Sequence, residues 1–277
     1  MKYFIFIFAF FTLLSAYAEM PYIKGAKQSD FHGYKRYDFR MGNLKCYVIE
    51  PKKAETGKPW VWRARFDSRS NSDFDLAMLA EGYHIAQVGV GGLLGGPKAM
   101  KNFDEFYKYL TEKCGFGKRP VLEGLSRGGL PIFNWSILNP KKVSCVYADN
   151  AVCDFKSWPG GKGKGKGSPK LWKAILRNYG FKSEEEALAY KKNPIDLIHV
   201  LAKNDVRVML GLGMKDSVVP AEENGLIIEK RYNAAIKKGG TKALVLKKEN
   251  AGHHPHGFKD PSKLVDFAKK AVKDLSK

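Results

Sequence analysis

The chain has 277 residues, 44% of them hydrophobic and 27% charged, which is the balance of a globular protein. That excludes a largely disordered chain, a collagen-like repeat and a multi-span membrane protein, and the length allows a core that needs no disulfide or structural metal. Lysine and arginine number 48 against 28 acids, giving a net charge of +20 that brings anionic partners into consideration.

Lys2 precedes an apolar run over residues 3–14, followed by the small residues Ser15, Ala16 and Ala18. The run is shorter than the roughly 20 residues a membrane-spanning helix needs. Its charged, apolar and A-x-A segments predict a secretory signal over 1–18, with a mature domain over 19–277 that is secreted or periplasmic. No second hydrophobic span follows, so no membrane span is expected. Export permits disulfides, but Cys46, Cys114, Cys145 and Cys153 allow three full pairings and lack C-x-x-C spacing. They read as small buried hydrophobes.

Strand and helix patterns then alternate. Residues 44–49, 60–65 and 83–90 read as strands. Over 99–114, Phe103, Phe106, Tyr107 and Leu110 share one helical face. Residues 120–125 read as a strand, 128–139 as a helix stopped by Pro140, and 143–148 as a strand. The pattern resumes with a strand at 206–212, a helix at 221–237, a strand at 243–247 and a helix at 261–275. Repeated strand–helix units predict an α/β fold with a doubly wound, mainly parallel sheet. Residues 155–199 interrupt the alternation. Their first part is basic and free of acids, and it carries the run Gly160-Gly161-Lys162-Gly163-Lys164-Gly165-Lys166-Gly167. Ser183 and Glu186 predict a capping box for a short helix. The segment reads as a cap-like insertion with a flexible glycine-rich tip.

The chemical signal lies between the strand at 120–125 and the helix at 128–139. Gly124-Leu125-Ser126-Arg127-Gly128 fits G-x-S-x-G, in which small residues permit a tight turn that lifts the serine hydroxyl off the strand end. The strand before it and the helix after it supply the required context. Asp216 follows the strand at 206–212, with Asp149 and Asp154 after the preceding strand as rival acids. Gly252-His253-His254-Pro255-His256-Gly257 follows the last strand.

The chain order Ser, Asp, His resembles that of the α/β-hydrolase superfamily, and more narrowly of small secreted bacterial esterases related to acetyl-xylan esterases. The resemblance implies a serine carboxylic-ester hydrolase with Ser126 as nucleophile, Asp216 as acid and His253 as base. His254 and His256 compete for the last role, but His253 stands in a G-H-x-P-like context common in the superfamily. The oxyanion hole would use the backbone N–H of Arg127 and, after the strand at 60–65, that of Arg65. No His-Gly occurs at this second position, unlike in much of the superfamily. Ser-Arg in the turn also resembles G-C-S-R-x-G of glucuronoyl esterases. The Arg127 guanidinium could therefore support developing charge or a substrate carboxylate, or pair with Glu123. Acyl or uronoyl esters of carbohydrates are the expected substrates.

Other patterns fail. Leu94 occupies the third glycine position of G-x-G-x-x-G, no G-K-[ST] closes the Lys-Gly run, and H-E-x-x-H is absent. No cofactor, no metal and no specific nucleic acid are expected. Phe103, Phe106, Trp135 and Phe267 read as core, while Trp158 and Trp172 could line a sugar site or pack the insertion. The competing readings are a small serine peptidase and a basic module that binds anionic polymers through the Lys-Gly run.

Overall fold

The computed structural model describes residues 20–70 and 72–275. The secretory pattern over 1–18 lies outside the described residues. The strands are β1 (Lys27–Phe31), β2 (Tyr34–Met41), β3 (Leu44–Glu50), β4 (Trp60–Arg63), β5 (His84–Val88), β6 (Val121–Leu125), β7 (Cys145–Asp149), β8 (Arg207–Gly213) and β9 (Leu244–Lys248). They form one sheet in the order β1-β2-β3-β5-β4-β6-β7-β8-β9. The strands from β5 to β9 in that order are parallel, and β1, β2 and β3 add to β5 antiparallel. The expected parallel sheet therefore carries an antiparallel edge. The β1–β2 hairpin was not legible as strands because its sequences are rich in charge. It closes through His32 at φ 52° and Gly33 at φ 80°, the two positive values of a type I′ turn.

The helices are α1 (Asp73–Ala80), α2 (Pro97–Lys108), α3 (Gly129–Leu138), α4 (Pro169–Tyr179), α5 (Glu184–Ala189), α6 (Pro194–Leu197), α7 (His199–Lys203), α8 (Gly225–Ala235) and α9 (Ser262–Leu275). Alternation along each strand assigns its side chains to two cores. On one face Val61, Ile85, Val121, Tyr147 and Met209 pack with Phe74 and Met78 of α1 and Leu264 and Ala268 of α9. On the other, Trp62, Ala86, Leu122, Val146 and Val208 pack with Phe103 and Phe106 of α2, Trp135 of α3 and Ile228 of α8. Phe103, Phe106 and Trp135 are thus core, as read from the sequence, and Phe267 is partly buried beside the first cluster. No helix among the described residues is long and apolar enough to cross a membrane.

The insertion between β7 and β8 carries α4 and α5 over a third cluster that includes Leu94, Leu130, Phe155, Trp158, Trp172 and Ile175, while Ile195 of α6 and Leu201 of α7 join the second of the two cores above. Trp158 and Trp172 are buried there, which removes them as a sugar-stacking surface. The glycine-rich tip is not a free loop. Lys162 pairs with Glu184, and Lys164 with Glu222 at 2.8 Å. The Lys164 N–H donates to the Glu223 carboxylate at 2.6 Å, and Gly163 lies so close to that carboxylate that a Cβ there would make it shift. The Lys-Gly run is so rich in glycine because it packs this closely.

All four cysteines are free and buried. Burial pushes the Cys145 thiol up to about 12, the Cys46 thiol up to about 12 and the Cys114 thiol up to about 11, so they behave as apolar side chains.

His84 opens β5 at 3% exposure, edge-on to Phe116, with no hydrogen-bond partner for its Nδ1 among the described residues. Burial lowers its pKa from 6.5 to about 4. An imidazole kept neutral by the fold stabilises it above the unfolded-state value, and that contribution disappears as pH falls toward the folded-state value. Stability to urea should therefore drop between pH 6.5 and 4 by on the order of 3 kcal/mol from this group. His84→Leu should flatten that interval; an unchanged pH profile would show that His84 is not the group responsible.

Candidate active site

β6 ends in the turn Ser126–Gly128, which leads directly into α3. Ser126 has φ 51° in the left-handed region, uncommon for a non-glycine residue. The neighbouring glycines make the turn possible. A Cβ on Gly124 would stand 2.5 Å from the Gly128 carbonyl oxygen, and one on Gly129 would stand 2.6 Å from that of Val152. The Val152 N–H donates to the Ser126 carbonyl at 2.9 Å and ties the turn to the chain beyond β7.

The Ser126 hydroxyl meets His253 Nε2 at 2.9 Å, and His253 Nδ1 meets Asp216 Oδ2 at 2.7 Å. Ser126 and Asp216 are buried, whereas the His253 side chain retains 11% exposure. The other Asp216 oxygen accepts the N–H groups of Val218 at 2.8 Å and Val219 at 2.9 Å, so the carboxylate is aimed by its own loop. Among the three histidines, it is His253 that bridges serine and acid. His256 is engaged elsewhere: its Nδ1 meets Asp149 at 2.9 Å, and Lys248 reaches the same carboxylate at 3.0 Å. His254 is exposed, and partial desolvation together with the two neighbouring imidazoles lowers its pKa. Of the rival acids, Asp149 thus belongs to His256, and Asp154 accepts the Lys156 N–H at 2.9 Å.

Arg127 is the second residue of the turn, where N–H groups lack partners within the helix. Arg65 follows the last rung between β4 and β6, in which the Ala64 N–H donates to Glu123 at 2.9 Å. Its side chain lies against Gly91 and Gly128. Both guanidinium groups face the Phe66 ring, at 5.2 Å for Arg65 and 5.9 Å for Arg127. Burial, and then the neighbouring Arg127 charge, lowers the pKa of Arg65. The alternative of an Arg127–Glu123 pair is not what the structure holds. Glu123 is taken by Arg63, fully buried, at 3.0 Å, and Asp75 binds the same guanidinium at 2.9 Å. Arg63 also donates to the Phe66 carbonyl at 2.9 Å, holding Phe66 at φ 62°.

Three residues of this apparatus escaped the sequence reading: Arg63, Lys248 and Asn150. Asn150 follows β7 at φ 44°. Its Oδ1 accepts the Gly213 N–H at 2.6 Å, and its Nδ2 donates to the Gly252 and His253 carbonyls at 3.2 and 3.0 Å. One side chain thus joins the ends of β7 and β8 to the histidine loop. An asparagine directly after a strand was the available signal, since Asn tolerates the left-handed region.

No family model matches the chain, and no curated protein matches its sequence. Solved structures do match its fold. Acetyl xylan esterase 1 from Thermoanaerobacterium sp. JW/SL YS485 is 16% identical with a TM-score of 0.58, over 91% of this chain and 87% of that one. S-formylglutathione hydrolase from Agrobacterium tumefaciens is 14% identical with a TM-score of 0.59, over 90% and 98%. Dipeptidyl peptidase 4 from Porphyromonas gingivalis is 13% identical with a TM-score of 0.57, and the match takes in 87% of this chain but 35% of that one. At these identities the likeness speaks to architecture, and the architecture is that of the α/β-hydrolases.

Asn150→Ala removes one acceptor and two donated hydrogen bonds, and it strands the buried Gly213 N–H. Stability should fall by about 1–3 kcal/mol. Turnover of an activated ester should fall about tenfold or more with KM little changed, because the histidine loop loses its tether. Unchanged turnover would show that the loop is held without Asn150.

Proposed function

We propose that the chain is a serine hydrolase that cleaves carboxylic esters through an acyl-enzyme on Ser126. The observation that carries this reading is the continuous hydrogen-bond chain Asp216–His253–Ser126 on a left-handed strand-to-helix turn. His253 takes the Ser126 proton as Oγ attacks the ester carbonyl. Asp216 keeps the His253 proton on Nδ1 and stabilises the imidazolium. The oxyanion forms beside the Arg127 and Arg65 N–H groups. Protonated His253 then delivers its proton to the leaving alcohol, and a water activated by the same imidazole releases the acid.

The substrates we favour are acyl or uronoyl esters of carbohydrates. Support comes from the secretory pattern at residues 1–18, the likeness of the fold to an acetyl xylan esterase, and two arginines that share the face of Phe66 near the nucleophile. The same secretory pattern favours action outside the cytoplasm. The alternative of a small serine peptidase is favoured by the likeness to a dipeptidyl peptidase and separates by substrate: a peptidase would cleave amide substrates at rates comparable to esters. Binding of anionic polymers through the Lys-Gly run is weakened by the engagement of Lys162 and Lys164 with glutamates.

The direct test is p-nitrophenyl acetate hydrolysis, followed by acetylated and methyl-uronate glycans. Ser126→Ala should lower turnover by about three orders of magnitude or more while the protein stays folded. Equal rates in the two proteins would remove Ser126 as nucleophile.

A further inference from the structure

Half of the six histidines in the chain stand within four residues, 253 to 256. The rings of His253, His254 and His256 meet edge to face, with centroids 4.8–4.9 Å apart in every pair. One ligand nitrogen from each lies within 4.8 Å of those of the other two. The catalytic reading uses only His253.

His256 is the unexplained member. It is 5% exposed, and its Nδ1 is held by Asp149, yet its Nε2 is buried with no hydrogen-bond partner among the described residues. A buried polar atom without a partner is costly and calls for a reason. A carboxylate on Nδ1 fixes the proton of the neutral ring there and leaves the Nε2 lone pair free, which is how metal-binding histidines are commonly oriented. His253 has the same arrangement: Asp216 holds Nδ1, and the Nε2 lone pair faces Ser126 at 2.9 Å. His254, exposed beside them, can supply the third nitrogen.

We propose that His253, His254 and His256 form a reversible inhibitory site for a divalent transition metal of the zinc type. Imidazole nitrogens suit Zn²⁺, Cu²⁺ and Ni²⁺. Zn–N bonds of about 2.0–2.1 Å in a tetrahedral site require the nitrogens to draw somewhat closer than they stand here. The exposed His254 can rotate, and His253 can swing away from Ser126. Each ring would bind through the lone pair of its neutral form. The metal takes the lone pair that would otherwise accept the Ser126 proton, so metal binding and the Ser126–His253 hydrogen bond exclude one another. Inhibition rests on the serine hydrolase reading above; metal binding does not.

The test pairs two measurements on untagged, chelator-treated protein. Calorimetric titration with ZnCl₂ should show one equivalent bound by the wild type, with affinity at least tenfold lower in both His254→Ala and His256→Ala. His254→Ala removes an exposed side chain and should fold normally even where loss of His256 disturbs Asp149. Labelling by a fluorophosphonate, which reports an activated serine, should slow with ZnCl₂ and recover with EDTA in the wild type. In His254→Ala it should be insensitive to zinc. Absence of saturable zinc binding, or equal affinity in the wild type and both variants, would overturn the site. Zinc binding with unchanged labelling would overturn the inhibition alone. Failure of the wild type to label without zinc would count against the serine reading, while calorimetry would still decide the metal.

Discussion

Ser126 occupies backbone space that L-residues rarely enter, and the ends of the neighbouring strands are built to hold it there. Such a conformation costs on the order of 1–3 kcal/mol and persists only where surrounding contacts over-determine it. Those contacts are specific. Gly124 and Gly129 let backbone approach backbone, Val152 fixes the Ser126 carbonyl, and α3 buries Ile132, Phe133 and Trp135 against the sheet. The helix that follows the turn is thereby docked by apolar burial, and the turn has no room to relax. The same packing points the serine hydroxyl at a loop more than a hundred residues away in sequence.

Around that turn the fold keeps several acids out of water, each compensated differently. Asp75 and Glu123 share the Arg63 guanidinium, Asp149 takes Lys248 and His256, and Asp216 takes two backbone N–H groups and His253. Burial and the nearby Asp75 push Glu123 well above the ordinary carboxylate range despite Arg63. Removing one member of such a cluster strands the others without solvent, a larger loss than the net worth of the pair. These clusters are also positioning devices. Arg63 sets Phe66 and with it the segment holding Arg65, while Lys248 donates to the Pro255 carbonyl at 3.2 Å and steadies the histidine loop. Two acid–histidine pairs result, and the N–H groups of Val218 and Val219 aim Asp216 at the one that reaches the serine.

What the sequence made legible follows from how local each signal is. Most of the parallel strands from β5 to β8 are short apolar runs, and the serine turn announces itself through glycine spacing. Asp216 and His253 were singled out by their places after strands and by the resemblance of the histidine loop, and the fold brings both beside Ser126. Only the G-H-x-P-like context of His253 set it apart from His256 in one short loop; which acid each ring meets is seen in the fold. Arg63 was taken as an ordinary strand residue because its partners lie 12 and 60 positions away. The β1–β2 hairpin was hidden by its charge, since an edge hairpin needs little apolar sequence on its open side. The close packing of the glycine-rich tip was not legible because glycine serves mobility and close packing alike, and composition cannot separate the two.

That tip shows how charge and geometry divide their work. Its lysines pair with Glu184 and Glu222 at the surface, where each such pair contributes about 0–1 kcal/mol and weakens with salt. The glycines do more. Gly163 admits the Glu223 carboxylate, and Gly165 lies against the carbonyl of Val218, whose N–H holds Asp216. Glu223 in turn accepts the Ser157 hydroxyl at 2.6 Å, so the insertion grips the segment just beyond the acid from two sides. The strap thus reaches the acid loop through the backbone contact of Gly165 as well as through the Glu223 carboxylate. A side chain at Gly163 would first meet the end of the Glu223 side chain, which can swing aside, whereas one at Gly165 would meet the Val218 carbonyl in the very loop that aims Asp216.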